Sequence, residues 1–317
     1  MTRSTPEFVA PPIILGANVF GWSVDAASST TLLDAALERG LNTIDTADIY
    51  SHWAPGNRGG ESETIIGNWM KQRGNRSAVK IHTKGGAPGA PGDLANANAT
   101  AAYLTRAVEA SLRRLGTDHI DLYYVHNDDK VTPLEETLSC FQRLMAAGRI
   151  GAIGASNYAP GRLATAMETS KKLGLPRFSV LQSLYNLVDR EPFEAELKAL
   201  CARHGLGVMA YFSLAKGFLS GKYRTPQDGA KSAARGEGAL AYLSPRGLRI
   251  LAALDGVAAA RQANCAQVAL AWLVAKPGVS AIASATRINH LDDLAAAAAL
   301  RLTAAEVAAL DEASRGG

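Results

Sequence analysis

Ile-Asp-Leu-Tyr-Tyr-Val-His (120–126), followed closely by Thr-Pro-Leu-Glu-Glu (132–136), reads as one strand and the start of one helix. The first stretch is an apolar, β-rich run of strand length. The second offers an N-cap threonine, a proline at the first helical position and acids in the first turn. The same alternation fills the chain. β-rich runs recur at 13–17, 41–46, 79–84, 150–155, 179–183, 207–212 and 280–284. Longer stretches with helical spacing lie between them. Ser29 to Arg39 places Leu32, Leu33, Ala36 and Leu37 on one face, and Thr100 to Leu115 repeats Tyr103, Leu104, Val108 and Leu112. Pro160, Pro192 and the pair Thr303 with Glu306 mark further helix starts. Eight strands, each followed by a helical stretch, predict parallel βα units. Such units close into a (β/α)8 TIM barrel, with an open doubly wound sheet as the alternative. No linker or composition shift divides the chain, so one barrel domain is expected over 1–317. Two long loops interrupt the rhythm, a Gly/Pro-rich one after strand three (85–99) and a polar one after strand seven (223–243). Both follow the C-terminal ends of strands, where barrel active sites sit.

Bulk properties narrow the function classes. Hydrophobic residues make up 47% and charged residues 20% of the 317, as in an ordinary soluble enzyme. The net charge of +4 is scattered rather than gathered into a basic stripe, so no nucleic-acid partner is expected. The start, Met-Thr-Arg-Ser-Thr-Pro-Glu, lacks a signal-peptide core, and no apolar run reaches the roughly 18 residues of a membrane span. Cys140, Cys201 and Cys265 are odd in number and far apart, which argues against a disulfide framework and for a reducing cytoplasm.

Four residues at or just past separate strand ends carry the chemistry. Asp45 closes the strand within Leu-Asn-Thr-Ile-Asp-Thr-Ala (41–47), and Tyr50 follows it. Lys84 ends Val-Lys-Ile-His-Thr-Lys (79–84), and His126 ends the opening run. A lysine closing an apolar strand is costly to bury unpaired, so Lys84 demands a partner. An ammonium beside a phenol lowers the phenol's pKa, and a carboxylate beside the ammonium keeps it charged. With an imidazole nearby to bind oxygen, the set delivers a proton to a carbonyl oxygen gaining negative charge. A hydride donor such as reduced nicotinamide would complete the reaction. His82 alternates with Thr83 and reads as a packing histidine. Asp48, Asp128 and Asp129 offer carboxylates, but no His-x-His pair or clustered strand-end ligands accompany them, so no metal is expected.

Asp-Thr-Ala-Asp-Ile-Tyr (45–50), Lys84, Tyr-Val-His (124–126) and Gly-Ala-Ser-Asn-Tyr (154–158) resemble the aldo-keto reductase superfamily. The resemblance continues through Leu-Gln-Ser-Leu-Tyr-Asn (181–186), Ala-Tyr-Phe-Ser-Leu-Ala-Lys-Gly-Phe-Leu-Ser-Gly-Lys (210–222) and Ala-Ser-Ala-Thr-Arg (283–287), covering nearly the whole chain in order. It implies a TIM barrel that reduces aldehydes and ketones with NADPH or, less often, NADH. Tyr50 would be the general acid, Lys84 would depress its pKa, Asp45 would pair with Lys84, and His126 would orient the carbonyl. Ser156, Asn157 and Gln182 would hold the nicotinamide carboxamide, and Tyr211 would stack on its ring. Ser213, Leu214 and Gly217 would line the pyrophosphate path. Ser284, Thr286, Arg287, His290 and Asp293 fall at the adenosine end, where Arg287 could meet a 2′-phosphate. Trp22 and Trp53 would line the substrate pocket. Lys222, Arg224, Lys231 and Arg235 suggest that the loop after strand seven folds over bound cofactor. Two departures stand out. Tyr-Phe-Ser-Leu (211–214) replaces the common Tyr-Ser-Pro-Leu, and Ser284 replaces a lysine found in some members. No Gly-x-Gly-x-x-Gly fingerprint is present, which suits this family better than a Rossmann dehydrogenase. The alternative is a nucleotide-binding regulatory subunit with little turnover, since such relatives retain the fold and the four residues. A metal-dependent barrel hydrolase is a third reading.

Overall fold

The computed structural model describes residues 8–89 and 96–316. Eight strands form one closed parallel barrel in sequence order. They are β1 (Ile13–Gly16), β2 (Thr43–Asp45), β3 (Lys80–Gly85), β4 (Ile120–Val125), β5 (Ile150–Ser156), β6 (Val180–Leu184), β7 (Gly207–Tyr211) and β8 (Val279–Ala283). All eight predicted runs are strands, and pairing of Ile14 in β1 with Ile282 in β8 closes the circle, which removes the open-sheet alternative.

Period-two alternation divides each strand between two cores. Ile13, Leu15, Ile44, Ile81, Tyr123, Val125, Leu181, Val208 and Ala281 pack outward with the helices. Ile14, Leu122, Tyr124, Val180, Met209 and Ile282 fill the barrel interior. Gly154 makes room there, because a Cβ on it would lie 2.5 Å from the Tyr124 ring. The same alternation turns Asp45, His82, Lys84, Ser156 and Gln182 inward. A polar group at the last inward position of its strand therefore reaches the C-terminal mouth.

Local chemistry sets the helix ends. Helix Ala101–Leu115 starts on the Thr100 hydroxyl, which accepts from the Tyr103 amide, and stops at Gly116 with φ 61°. Thr303 and Glu306 form the expected capping box. Thr132 does not cap its helix. Its hydroxyl donates to Asp129 Oδ2 at 2.5 Å, and helix Leu134–Ala146 begins after Pro133 without a side-chain cap. The segment after β7 is more ordered than a polar loop. It holds a one-turn helix at Pro226–Lys231, nucleated by a Thr225/Asp228 capping box, and a short helix at Gly236–Leu240. Part of the predicted loop after β3, residues 90–95, lies outside the described residues.

Candidate active site

Lys84 is fully buried, and its ammonium spends all three protons on neighbours. It donates to Asp45 Oδ1 at 2.6 Å, to the Thr46 carbonyl at 2.7 Å and to the Tyr50 hydroxyl at 2.9 Å. Asp45 in turn accepts from Gln182 Nε2 at 2.9 Å. The turn after β2 is held in place by the Asp48 amide, which donates to the Lys84 carbonyl at 3.0 Å, and by the Tyr50 amide, which donates to the Ala47 carbonyl at 3.2 Å. The chain thus carries Tyr50 back over Lys84, whose nitrogen lies 4.5 Å from the phenol ring centre. His126 leaves β4 with its amide donating to the Gly85 carbonyl at 2.8 Å. Its ring stands edge-on to Tyr50, centroids 6.2 Å apart.

Burial governs the titration of this set. It pushes the Asp45 carboxyl up, against the pull of Lys84 and Gln182. Burial by itself lowers Lys84, yet attraction to Asp45 and Tyr50 outweighs it and the ammonium is raised. Tyr50 is raised too. Desolvation of the phenolate exceeds the stabilisation from Lys84, so the expected depression is only a partial opposition and the phenol keeps its proton. Burial, with Lys84 second, drives His126 down to about 3, leaving a neutral ring. His126 Nδ1 is buried without a partner among the described residues.

Aromatic side chains wall the mouth. Trp22 and Trp53 meet edge-on at 5.6 Å, and Trp53 lies 6.1 Å from Tyr50. Both predicted pocket tryptophans therefore gather beside the phenol. Phe212, the residue by which this chain departs from Tyr-Ser-Pro-Leu, adopts φ 51° and projects 37% exposed beside Tyr211. The Arg235 guanidinium lies 4.8 Å over Trp22 and 5.9 Å over Phe212.

The rest of the predicted set lies along the ends of β5 to β8. Asn157 sits at φ 54° just past Ser156. Its amide donates to the His126 carbonyl at 2.9 Å, while its Oδ1 accepts from the Tyr211 hydroxyl at 2.9 Å. Gln182 lies beside Ser156 on the neighbouring strand but spends its amide on Asp45, so it supports Lys84 instead of standing free. The Ser213 hydroxyl donates to the Ala210 carbonyl, and Leu214 precedes a left-handed run at Ala215, Lys216 and Gly217. At the β8 end, Ser284 donates to Asn18 Oδ1 at 2.6 Å. Thr286 and Arg287 flank His290, at 3.3 and 3.2 Å. Burial first, then Arg287, lowers the His290 pKa. Asp293 is already taken by Asn264 and Gln267 at 2.6 and 2.9 Å, fastening the start of the helix Cys265–Val274.

Of the four loop cations, Arg224 is committed to Asp255 at 2.7 and 2.8 Å and Lys231 to Asp228 at 2.7 Å. Lys222 and Arg235 make no ion pair among the described residues. The Lys222 ammonium sits 4.0 Å from where a Gly217 Cβ would be. Sequence reasoning missed the Thr46 carbonyl, Phe212 and Asn18. Thr46 was legible only as the residue after Asp45, and Asn18 only as a polar residue past β1.

Tyr211, the polar groups at Ser156 and Asn157, the left-handed run at 215–217 and the cations Lys222 and Arg287 all lie at or past the C-terminal ends of β5, β7 and β8. Among the described residues, no group of three or more His, Cys, Asp or Glu side chains could hold a metal, and no helix is long and apolar enough to cross a membrane.

Barrel and mouth together define an NAD(P)H-dependent oxidoreductase acting on small carbonyl compounds. The family model described as Aldo/keto reductase family matches residues 12–315, and the chain belongs to that family. It is 32% identical to "Aldo-keto reductase AMT2" of Alternaria alternata, over 96% of this chain and 88% of the relative. It is 29% identical to "Aldo-keto reductase yakc [NADP(+)]" of Schizosaccharomyces pombe, over 98% and 91%. A "Probable voltage-gated potassium channel subunit beta" of Oryza sativa subsp. japonica is 31% identical, over 86% and 82%.

Proposed function

We propose that the protein reduces an aldehyde or ketone to its alcohol, reversibly, with Tyr50 as the general acid. The observation that carries this reading is the fully buried Lys84, whose third proton ends on the Tyr50 hydroxyl. In that hydrogen bond the phenol oxygen is the acceptor, so its own proton is left for another acceptor. The phenol holds its proton until oxygen charge develops, because burial disfavours phenolate in the resting site. Lys84 then stabilises the phenolate as it forms, and Asp45 with Gln182 keeps the ammonium in place. A neutral His126 with Nδ1 unpartnered presents its N–H from Nε2, where it orients a carbonyl oxygen beside the phenol. Reduced nicotinamide, when bound, supplies the hydride to the carbonyl carbon. Ser156 and Asn157 would hold its carboxamide, Tyr211 its ring face, and Ser213, Leu214 and Gly217 the pyrophosphate. Trp22 and Trp53 would enclose the substrate. The test is oxidation of NADPH and NADH, followed by absorbance, against sugars, aliphatic aldehydes, aromatic aldehydes and ketosteroids. Turnover of none of them would refute the reading.

NADPH is the preferred cofactor in this reading, with Arg287 meeting the 2′-phosphate beside Thr286 and His290. Ser284 and Asp293, occupied by internal partners, contribute little. Arg287→Ala should raise the KM for NADPH about ten-fold and leave the KM for NADH nearly unchanged. An equal effect on both cofactors would assign Arg287 elsewhere.

Lys222 and Arg235 are the loop cations left to meet the pyrophosphate and the mouth. Saturating NADPH is expected to protect the segment 223–243 from protease, and unchanged cleavage would rule out closure over the cofactor. The regulatory reading is favoured by one observation, the similarity to the potassium channel subunit beta of rice. Cofactor binding without oxidation by any carbonyl in the panel would support it. A cytoplasmic location accompanies the proposal.

A further inference from the structure

Behind the Tyr50 turn, on the outer face of β2 to β4, lies a second cluster of charge that the proton-donor set does not use. Asp48 is 3% exposed. Its Oδ2 accepts from the Tyr103 hydroxyl at 3.5 Å, and its Oδ1 has no partner among the described residues. Glu63, from helix Glu61–Arg73, is fully buried beside it. Glu63 accepts from the Thr83 hydroxyl and from Arg114 Nε, both at 2.6 Å. Arg114 also donates to Ser111 and, among the described residues, makes no hydrogen bond or ion pair to Asp48. From β4 the Tyr123 hydroxyl reaches the same place, buried and without a partner among the described residues. Only Gly85 leaves room for these groups, since a Cβ there would lie 2.2 Å from the Tyr123 oxygen and 3.1 Å from Asp48 Oδ2.

The charges do not balance. Two buried carboxylates face one guanidinium, and that guanidinium is committed to Glu63. Arg106 and Arg113 line the same cleft but are exposed and make no hydrogen bond or ion pair to Asp48 among the described residues, and Lys84 has no proton left to give. Ionised, Asp48 would face a like charge with an unpaired oxygen while only 3% exposed, which is costly. Protonated, it can donate to a tyrosine oxygen. A cleft of about 200 Å³ lined by Asp48, Tyr103, Arg106, Ala107, Ala110, Arg113 and Arg114 connects the carboxyl to solvent, so its proton can exchange. Burial first, then Glu63, against the pull of Arg114 and Lys84, places the Asp48 carboxyl at about 7.

We propose that Asp48 is a positioning residue for the proton donor, holding the turn that carries Tyr50 only while its own carboxyl is protonated. The coupling is short. Asp48 stands two residues before Tyr50, and its amide is bonded to the carbonyl of Lys84, the residue that grips the phenol. Loss of the Asp48 proton sets a second buried charge beside Glu63, and relief of that repulsion shifts the turn and the phenol with it. Turnover should therefore fall about five- to ten-fold as pH rises through neutrality. His126, neutral across this range, adds no limb there.

The inference rests on the reductase reading for its kinetic arm alone. In that arm, kcat and KM are followed from pH 5.5 to 9 for wild type, Asp48→Asn and Glu63→Gln. Wild type should show a limb in kcat near neutrality. Asp48→Asn should abolish it, and Glu63→Gln should lower its midpoint by about one unit, because a like charge is gone. A limb unchanged in both variants, or no limb in wild type, overturns the proposal. The second arm needs no catalysis and no variant that might unfold. Carbon-13 NMR of aspartate-labelled wild-type protein should contain a carboxyl titrating near 7, insensitive to cofactor. Its absence overturns the proposal even if the enzyme reduces carbonyls well. An inactive enzyme with that resonance present would refute the reductase reading alone.

Discussion

Tyr50→Phe should lower carbonyl turnover by about 10²–10⁴-fold while leaving NADPH affinity within a small factor of wild type. The substitution removes one oxygen. It leaves the ring against Trp53 and His126, so the aromatic mouth keeps its shape. Only the proton is lost, together with one acceptor for Lys84. In the proposed role the phenol serves the transition state rather than the bound cofactor, so the loss should fall on kcat. Cofactor titration by fluorescence and steady-state kinetics separate the two effects. Near-normal kcat would transfer the acid role to another group.

Lys84→Met should reduce turnover at least about 10²-fold and destabilise the fold by about 3–5 kcal/mol, because it strands Asp45. Asp45 is 1% exposed and would lose its only cationic partner, keeping the Gln182 amide and the Tyr50 hydroxyl. The deficit should depend on pH in a definite direction. Burial already raises the Asp45 carboxyl, and loss of Lys84 raises it further. A carboxyl raised in the folded state makes the native protein bind the extra proton. Stability therefore falls as pH rises from the unfolded value through the folded one. The gap between variant and wild type should be widest at alkaline pH and shrink on acidification. Urea unfolding at pH 5 and pH 8 measures it, and a gap that widens toward acid would contradict the pairing of Asp45 with Lys84.

Much of this site was legible in the sequence, for a physical reason. A lysine, an aspartate and a histidine ending apolar β runs have no packing role, and period two sends them into the barrel mouth. Tyr50 followed from its place after a strand end, and the two tryptophans from the family resemblance. What stayed hidden was the assignment of partners. Gln182 reads as a cofactor ligand in its own segment, yet it binds Asp45, which is 137 residues away. Asp293 and Ser284 read as adenosine contacts, but Asn264, Gln267 and Asn18 claim them through contacts that no local pattern encodes. The imbalance around Asp48 was invisible for the same reason. Glu63 and Arg114 lie 51 residues apart, and nothing in their own segments pairs them until the barrel brings them together. The segment after β7 illustrates the opposite error. Its Gly, Lys and Arg content suggested a free loop, while Pro226 and a Thr225/Asp228 box fold part of it.

Direct transfer between cofactor and carbonyl is the centre of the account, and isotope placement tests it most closely. Wild-type protein is given a carbonyl substrate and NADPH bearing deuterium at nicotinamide C4 on the transferred face, in ordinary water. The account predicts one deuterium on the carbinol carbon of the alcohol for each cofactor oxidised, with the hydroxyl proton from solvent. Product whose carbinol hydrogen comes from water, or alcohol formed without cofactor oxidation, would contradict it.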